Sequence, residues 1–386
     1  MAVPAFEELF TQIKTNLWLS GIPFNAPRIQ LRFYILVVLI FSMLIAEGSF
    51  LVSQYAPENF LELTQLAPCA GCGLLSVLKI LPIAAKRQKL FDLTKCLDGL
   101  YSIILSHPKK TAVVKNEIFI VKILIKYFFV LNMILIAVYN FSSLVIMLYY
   151  YIKTNEVVFK LPYALVVPFS TDTWLTWFVV YLYSITNGFI CIVFFTTVDA
   201  LYCVLTSQVC NNFAIISDEM KNLNESNVHL LKELVKNHQY VLKLSKDLEE
   251  IFKLPNLFNV LVGSVEICAL GFNLTMGDLS QIPGCVLFLL SVLLQILMMS
   301  VFGEKLIRES RKVGDAVFSS QWYKMDKTSK KMIFIIIIRS QKQQQLTAYK
   351  FSVISYGSFT KIISTSWSYF TILRTVYTPP ESLQLE

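Results

Sequence analysis

The sequence predicts an all-α fold: a seven-transmembrane helical membrane protein, N-terminus inside and C-terminus outside, with a cytoplasmic helical anchor domain. Two observations carry this prediction, the hydropathy of the chain and the placement of its basic residues. Of 386 residues, 55% are hydrophobic and 16% charged, with a mean hydropathy of +0.59. Soluble domains carry about 25% charged residues. Apolar runs reach the roughly 20 residues that a bilayer crossing needs, and helices are expected at 31–53, 59–84, 118–151, 173–200, 254–275, 282–304 and 346–376.

Orientation follows from Lys and Arg in the connecting segments, because cytoplasmic loops carry the excess. One set of segments holds Lys14, Arg28 and Arg32, then Lys86 to Lys115, Lys221 to Lys253 and Lys305 to Lys350; the other holds only Lys153 and Lys160. The N-terminus is therefore expected inside, inverted relative to a G-protein-coupled receptor. The formal charge of +8 belongs to these topology-setting loops, so no nucleic-acid partner is expected. The segment MAVPAFEELFTQIKTNLWL has early Glu7 and Glu8 and no basic region before an apolar core, unlike a signal peptide.

The cytoplasmic segments are read as helical. In 227–253, Leu231, Leu234, Val235, His238, Val241, Leu242, Leu248 and Ile251 fall at near-helical spacing, which predicts a long amphipathic helix leading into the fifth span. In 305–342 a basic start is followed by Trp322-Tyr323 and the run MIFIIII, too short to span and read as a buried cytoplasmic helix. Such apolar area favours subunit assembly over a merely solvated amphipathic surface. The domain reading is 1–304 for spans one to six and their bundle, with cytoplasmic extensions at about 201–253. Residues 305–345 form the anchor segment, 346–377 the seventh span and 378–386 an extracellular tail.

Enzymatic sites are not expected. Cys69 and Cys72 make a CxxC in an apolar stretch without further ligands, and His107, His229 and His238 lack ligand spacing, so no metal or cofactor is expected. No phosphate-binding glycine loop, HExxH or nucleophile elbow occurs. The sequon at Asn273 lies too near the bilayer for use, Asn140 is inside a span and Asn224 inside the cell. Glu47 and Glu266 are intramembrane carboxylates, functional candidates by default, but they lie off the seventh span and are read as structural. Glu58, Glu62, Glu156, Asp172 and Asp278 would enrich cations at the outer face.

The seventh span, FSVISYGSFTKIISTSWSYFTILRTVY, is rich in hydroxyls and contains Lys361. A charge inside a span faces protein or water. Helical projection places Lys361, Thr365, Ser368, Ile372 and Val376 on one face, with Thr375 beside it. Copies of this helix around an axis would form a polar vestibule closed by an apolar ring that gates by dewetting. The alternative is an interior helix whose hydroxyls bond to neighbours.

The stretch from Trp322 to Tyr377, with its Trp-Tyr pair, basic spacer, apolar run, Arg339-Ser340-Gln341, Leu346-Thr347-Ala348 and final Ser368-Tyr369-Phe370 helix, resembles the C-terminal signature of insect odorant receptors, most closely the moth type. The inverted seven-span layout extends the likeness. The resemblance implies a ligand-gated, non-selective cation channel, assembled as a heterotetramer with an odorant co-receptor subunit. It implies a multi-pass plasma-membrane protein of olfactory sensory neuron dendrites, whose partners are a small volatile odorant, the lipid bilayer and permeant cations. It carries the apolar gate to Ile372 and Val376 and a pore-facing polar position to Thr375. The co-receptor's long insertion between spans four and five and its Val-Gln-Leu-Lys ending are absent, which implies an odorant-tuning subunit. Arg374-Thr375 stands where the related gustatory receptors carry Gln.

The family's ligand pocket lies in the outer membrane half among spans two, three, four and six, with the fifth nearby. That implies Cys72 and Leu75; Ala137, Asn140, Phe141 and Leu144; Trp177, Tyr181, Ser184 and Gly188; Phe272; and Phe288, Ser291 and Gln295. Such a pocket, apolar with a few orienting polar groups, suits a small volatile with one oxygen function. Competing readings are a gustatory-type channel of the same fold, a metabotropic seven-helix receptor and a transporter. The metabotropic receptor requires an external N-terminus, and the transporter internal repeats or broken helices.

Overall fold

The computed structural model describes residues 3–23, 28–53, 60–277 and 282–376. A short helix α1 (Phe6–Leu19) precedes the first two spans, α2 (Leu31–Ser53) and α3 (Phe60–Ala85). Then come α4 (Arg87–Ser106), α5 (Pro108–Thr154), α6 (Trp174–Lys221), α7 (Leu231–Met276) and α8 (Ile282–Phe318). Helix α9 (Lys327–Gln341), strands β1 (Thr347–Ala348) and β2 (Ser352–Val353), and α10 (Tyr356–Val376) complete the described chain. Six helices, α2, α3 and α5 to α8, are long and apolar enough to cross a membrane. The seventh is α10, whose 21 residues reach about 30 Å at 1.5 Å per residue. The fold is a seven-transmembrane helical bundle.

Four spans run well past the bilayer. Helices α5, α6, α7 and α8 contain 47, 48, 46 and 37 residues, each longer than the roughly 20 residues of a crossing. The amphipathic stretch expected before the fifth span is the lower half of α7, continuous with the span through Pro255. The lysine-rich ends of these helices meet on one side, where α1 and α4 pack among them. Neither short helix was anticipated from the sequence, although Phe6, Leu9, Phe10, Ile13 and Leu17, and Leu90, Leu93, Leu97, Tyr101 and Ile104, recur at helical spacing and are buried. Tyr101 donates from its hydroxyl to the Pro4 carbonyl at 2.6 Å, and burial pushes that hydroxyl up to about 12.

Ion pairs lace this inner bundle: Lys110 with Glu219 at 2.9 Å, Lys122 with Glu8 at 3.1 Å and Lys89 with Asp247 at 3.1 Å. A second carboxylate, Glu250, bonds to Lys89 and holds its ammonium above the ordinary lysine range. Such partly exposed pairs contribute about 0–1 kcal/mol each, so apolar packing supplies most of the cohesion. Helix α6 is buried on nearly every side from Ile192 to Ile216.

Two expectations need correction. The MIFIIII run is helical within α9, and Asp326 caps it by accepting from the Thr328 and Ser329 amides at 2.9 and 3.2 Å. It is only half buried: Ile333 and Ile336 pack inward, whereas Phe334, Ile335 and Ile338 are 63%, 65% and 51% exposed. A helix that packs against one neighbour covers one face only. The seventh span, expected from 346, begins at Tyr356. Residues 347–353 instead form a hairpin with a turn from Ala348 to Phe351, closed by the Phe351 amide on the Ala348 carbonyl at 2.9 Å, whose central residues Tyr349 and Lys350 take φ of 50° and 64°. Both central residues of such a tight turn must be left-handed, which ends helical continuation there. The helix then starts on a reciprocal cap. The Ser355 amide donates to Ser358 Oγ at 2.9 Å and the Ser358 amide to Ser355 Oγ at 3.3 Å.

The hairpin is fastened to the long helices. The Tyr349 amide donates to the Lys253 carbonyl at 3.1 Å, and Thr347 Oγ1 donates to Glu249 at 2.7 Å. Gly303 on α8 allows the closest approach, since a Cβ there would stand 2.4 Å from the Ile354 carbonyl oxygen. Gly303→Ala is therefore expected to destabilise the protein by about 2 kcal/mol, read as a lower melting temperature of the solubilised protein. An unchanged melting temperature would show that the hairpin can retreat freely.

Candidate functional site

Five helices enclose a cavity of about 60 Å³ in the outer half of the bundle. Its walls are Ile40, Met43, Leu44 and Glu47 of α2, Cys69, Cys72 and Gly73 of α3, and Leu135, Ile136 and Tyr139 of α5. Asn187, Gly188, Cys191 and Ile192 of α6 and Phe288 of α8 complete them, with Tyr163 from the α5–α6 connection. A cavity of about 150 Å³ holds benzene, so a larger guest must displace side chains. Met43, unbranched and adaptable, and Tyr163 are the movable parts of the wall.

Tyr163 closes the outer end. Its hydroxyl donates to Asn140 Oδ1 at 2.9 Å, and the Val166 amide ties the same loop to the Ala46 carbonyl at 3.2 Å. Gly188 makes room for this arrangement: a Cβ there would lie 2.7 Å from Tyr163 Oη and 2.8 Å from Ile136 Cδ1. Above lies an aromatic cluster in which Trp177 and Tyr181 stack at 4.9 Å. The Trp177 indole donates to the Lys160 carbonyl at 3.1 Å, and the Tyr181 hydroxyl to the Asn140 carbonyl at 2.9 Å.

Of the residues expected at a ligand, Cys72, Gly188 and Phe288 line the cavity, and Asn140 holds its lid. Trp177 and Tyr181 form the cluster above. Ser184 is buried and bonded to its own helix, and Leu75 belongs to the apolar core. Ala137 is half-buried beside the wall, while Phe141 and Leu144 point outward, 50% and 37% exposed. Phe272 packs with Cys268 and Phe370 instead. Ser291 donates to Asn132 Oδ1 at 2.8 Å and Gln295 to Asn259 Oδ1 at 2.8 Å, both away from the cavity. The wall of α2 was missed, although Glu47 was its signal: an intramembrane carboxyl faces the interior. On α5 the polar residues Asn132, Asn140 and Ser143 mark the inward face that places Leu135, Ile136 and Tyr139.

A second polar centre lies about 10 Å toward the cytoplasm, seven residues along α3 from Cys72 at 1.5 Å per residue. Lys79 is fully buried, bonded to Asp199 of α6 at 2.6 Å and 4.5 Å from the Phe195 ring. Asn259 of α7 and Gln295 of α8, hydrogen-bonded to each other at 2.8 Å, lie beside the same carboxylate, so four helices meet here. Glu266 is buried against Gly71, whose Cβ would stand 3.0 Å from Oε1.

Helix α10 packs one face on α7 and α8. Ser358, Ile362, Ser366 and Phe370 are buried, and Ser366 Oγ donates to the Ser264 carbonyl at 3.0 Å. Lys361, Ser368, Ile372 and Thr375 are exposed and Thr365 half-buried. This stripe lies roughly 120° around the helix from the buried one, at 3.6 residues per turn. The Val376 side chain, that of Glu62, and Glu58, Asp278 and the tail 378–386 lie outside the described residues. Asn273 is buried and its amide nitrogen donates to the Thr64 carbonyl at 2.9 Å, which leaves the sequon closed to glycosylation in this fold. No cluster of metal-ligating residues occurs among the described residues.

The buried ion pair makes a direct prediction. Lys79→Met strands Asp199 and is expected to cost about 3 kcal/mol or more, whereas Lys79→Met with Asp199→Leu recovers most of the loss. Melting temperatures of the three forms test this; equal values for single and double variants would remove the pair from the core's cohesion.

A profile of the 7tm odorant receptor family matches residues 59–367. Odorant receptor 85c of Drosophila melanogaster is 25% identical over 356 residues, 90% of this chain and 91% of that one. Odorant receptor 67c of the same species is 32% identical over 189 residues, 47% of each chain. The odorant receptor coreceptor of Aedes aegypti is 26% identical over 145 residues, 37% of this chain and 30% of its own. The fold is similar to the insect olfactory receptor OR5 from Machilis hrabei in complex with eugenol, with a TM-score of 0.81 at 16% identity, covering 96% and 97% of the two chains. The chain belongs to the odorant receptor family of seven-transmembrane proteins, and is a receptor rather than an enzyme.

Proposed function

We propose that this receptor is the odorant-tuning subunit of a ligand-gated, non-selective cation channel, bound to a co-receptor as a heterotetramer in the plasma membrane of olfactory neuron dendrites. The observation that carries the channel reading is the uncovered stripe on α10. Lys361, Ser368 and Thr375 are polar, lie on a membrane helix and are left bare by their own chain. Lipid is a poor environment for such a face, because charged and polar groups in a span turn toward protein or water. Assembly around an axis would supply water to the stripe, with Thr365 at its side, and set Ile372, 56% exposed, in the constriction together with Val376.

The cavity supports the odorant role. It is apolar, bordered by Tyr163 and small enough that a guest must move its walls, and a similar receptor is known in complex with eugenol. Likeness to a co-receptor over part of the chain supports assembly with one.

Whole-cell currents test this in cells expressing the chain with and without an insect co-receptor, under blocked G-protein signalling and a panel of esters, alcohols, aldehydes and terpenoids. A fast cation current that survives the block and needs the partner is expected; a response abolished by the block points to a metabotropic receptor. Ile372→Ala and Val376→Ala are each expected to raise basal current, and unchanged basal current in both excludes them from the gate. Gly188→Ala, whose methyl pushes Tyr163 and Ile136 into the cavity, is expected to weaken odorant sensitivity about tenfold at equal surface expression, the loss of roughly one well-made contact. Unaltered sensitivity would place the ligand elsewhere.

A further inference from the structure

The polar atoms around the cavity are unequally committed. The Tyr163 hydroxyl donates to Asn140 Oδ1, and the Ser76 hydroxyl near Cys191 donates to the Gly73 carbonyl at 2.7 Å. Asn187 donates from Nδ2 to the Tyr183 carbonyl at 3.0 Å, which fixes the orientation of its amide. One donor and two acceptors are uncommitted: Asn140 Nδ2 and Asn187 Oδ1 are buried without a partner, and Glu47, 4% exposed, makes no hydrogen bond or ion pair among the described residues. A carboxyl group accepts a hydrogen bond in either protonation state and, when neutral, donates one as well.

Buried polar groups left unpaired are costly and uncommon, so the complement of this wall is a ligand whose polar group both donates and accepts. Esters, ketones, aldehydes and ethers bring acceptors only. The route of entry narrows the choice further. A groove formed by Leu39, Phe178, Val179, Leu182, Tyr183 and Thr186 opens on the lipid-facing side of α2 and α6, and Asn187 lies on both groove and cavity. A solute arriving through hydrocarbon is neutral, because an ammonium is expensive there. Resting on the odorant-cavity reading above, we infer that the cavity selects apolar alcohols and phenols, whose hydroxyl donates to Asn187 Oδ1 and hydrogen-bonds with the Glu47 carboxyl. Glu47 thereby sets the chemical class, while the surrounding side chains set size and shape.

The test uses the full-length chain with an insect co-receptor and matched pairs, each an alcohol and its methyl ether, on straight-chain, terpenoid and benzylic skeletons. Two quantities are read: the ligand-induced rise in melting temperature of the solubilised complex, and whole-cell current. Within a responsive pair, wild type is expected to favour the alcohol about tenfold, the effect of one hydrogen bond to a buried acceptor. Glu47→Gln keeps an acceptor and most of the preference. Glu47→Leu lowers it to within about threefold while ethers still act; if that variant does not reach the surface, Asn187→Leu takes its place with the same expectation. Equal action of alcohols and ethers on wild type, stabilisation by none of the compounds, a matched amine acting more strongly than its alcohol, or an undiminished preference in the leucine variants each overturns the inference. Alcohols that stabilise without evoking current leave it standing and remove the channel reading instead.

Discussion

Helix α6 is buried along almost all of its inner two thirds, from Phe194 and Phe195 near the membrane's inner edge to Ile215 and Ile216 in the cytoplasmic bundle, and the remaining helices are arranged to bury it. A helix buried on every side, with polar residues such as Asp199, Gln208 and Asn211 among those enclosed, needs neighbours on every side. Within the hydrocarbon, backbone groups can be satisfied only inside a helix or closed barrel, so those neighbours are themselves long helices. Helices α5, α7 and α8 follow α6 out of the bilayer without a break, and α1 and α4 fill the gaps that remain below it. The membrane bundle and the cytoplasmic bundle are therefore one mechanical object.

The Lys79–Asp199 pair is where this packing becomes specific. A buried ion pair is weak evidence of net stability, because desolvation offsets the attraction. Its geometric demand is strong: Lys79 of α3, Asp199 of α6, Asn259 of α7 and Gln295 of α8 must arrive at one point. That point sits beneath the cavity, and α7 connects it to α10. One part of α7 bears Asn259 and Glu266, and another bears Ser264, Cys268 and Phe272, which hold α10 through Ser366 and Phe370. The cavity's support thus touches the helix proposed to line the pore, through α7 and directly through α8. A displacement of α3 would reach α10 through α7 and one of α8 would reach it directly, because close-packed interiors transmit strain.

How much of this was legible in the residues differs by element. Hydropathy and lysine placement sufficed for seven spans and their orientation, since both follow from the cost of putting polar groups in hydrocarbon. The bare stripe of α10 could be projected from Lys361, because a charge set within a span turns its face from lipid. The cavity wall was harder. On α5, Phe141 and Leu144 were placed at the ligand, yet they lie on the lipid side, and Leu135, Ile136 and Tyr139 turn inward with Asn132 and Asn140. Apolar residues serve either side of a membrane helix equally well, so hydropathy does not distinguish them.

The hairpin before α10 shows the same division. The Ser355–Ser358 cap is written in the chain and sets where the last helix starts, but the left-handed backbone at Tyr349 and Lys350 is not, because neither residue favours it locally. Contacts to Lys253, Glu249 and Gly303 impose it. Taken by itself, the sequence determined the class, the number of spans, their direction and the polar face of α10, all of which depend on one helix and its solvent. Only the tertiary structure decided the partner of Lys79, the loss of Phe272 to α10, and the placing of Glu47 and Asn187 on one cavity wall. Each of these depends on the rotation of one helix against another, which is settled by the packing of the whole bundle.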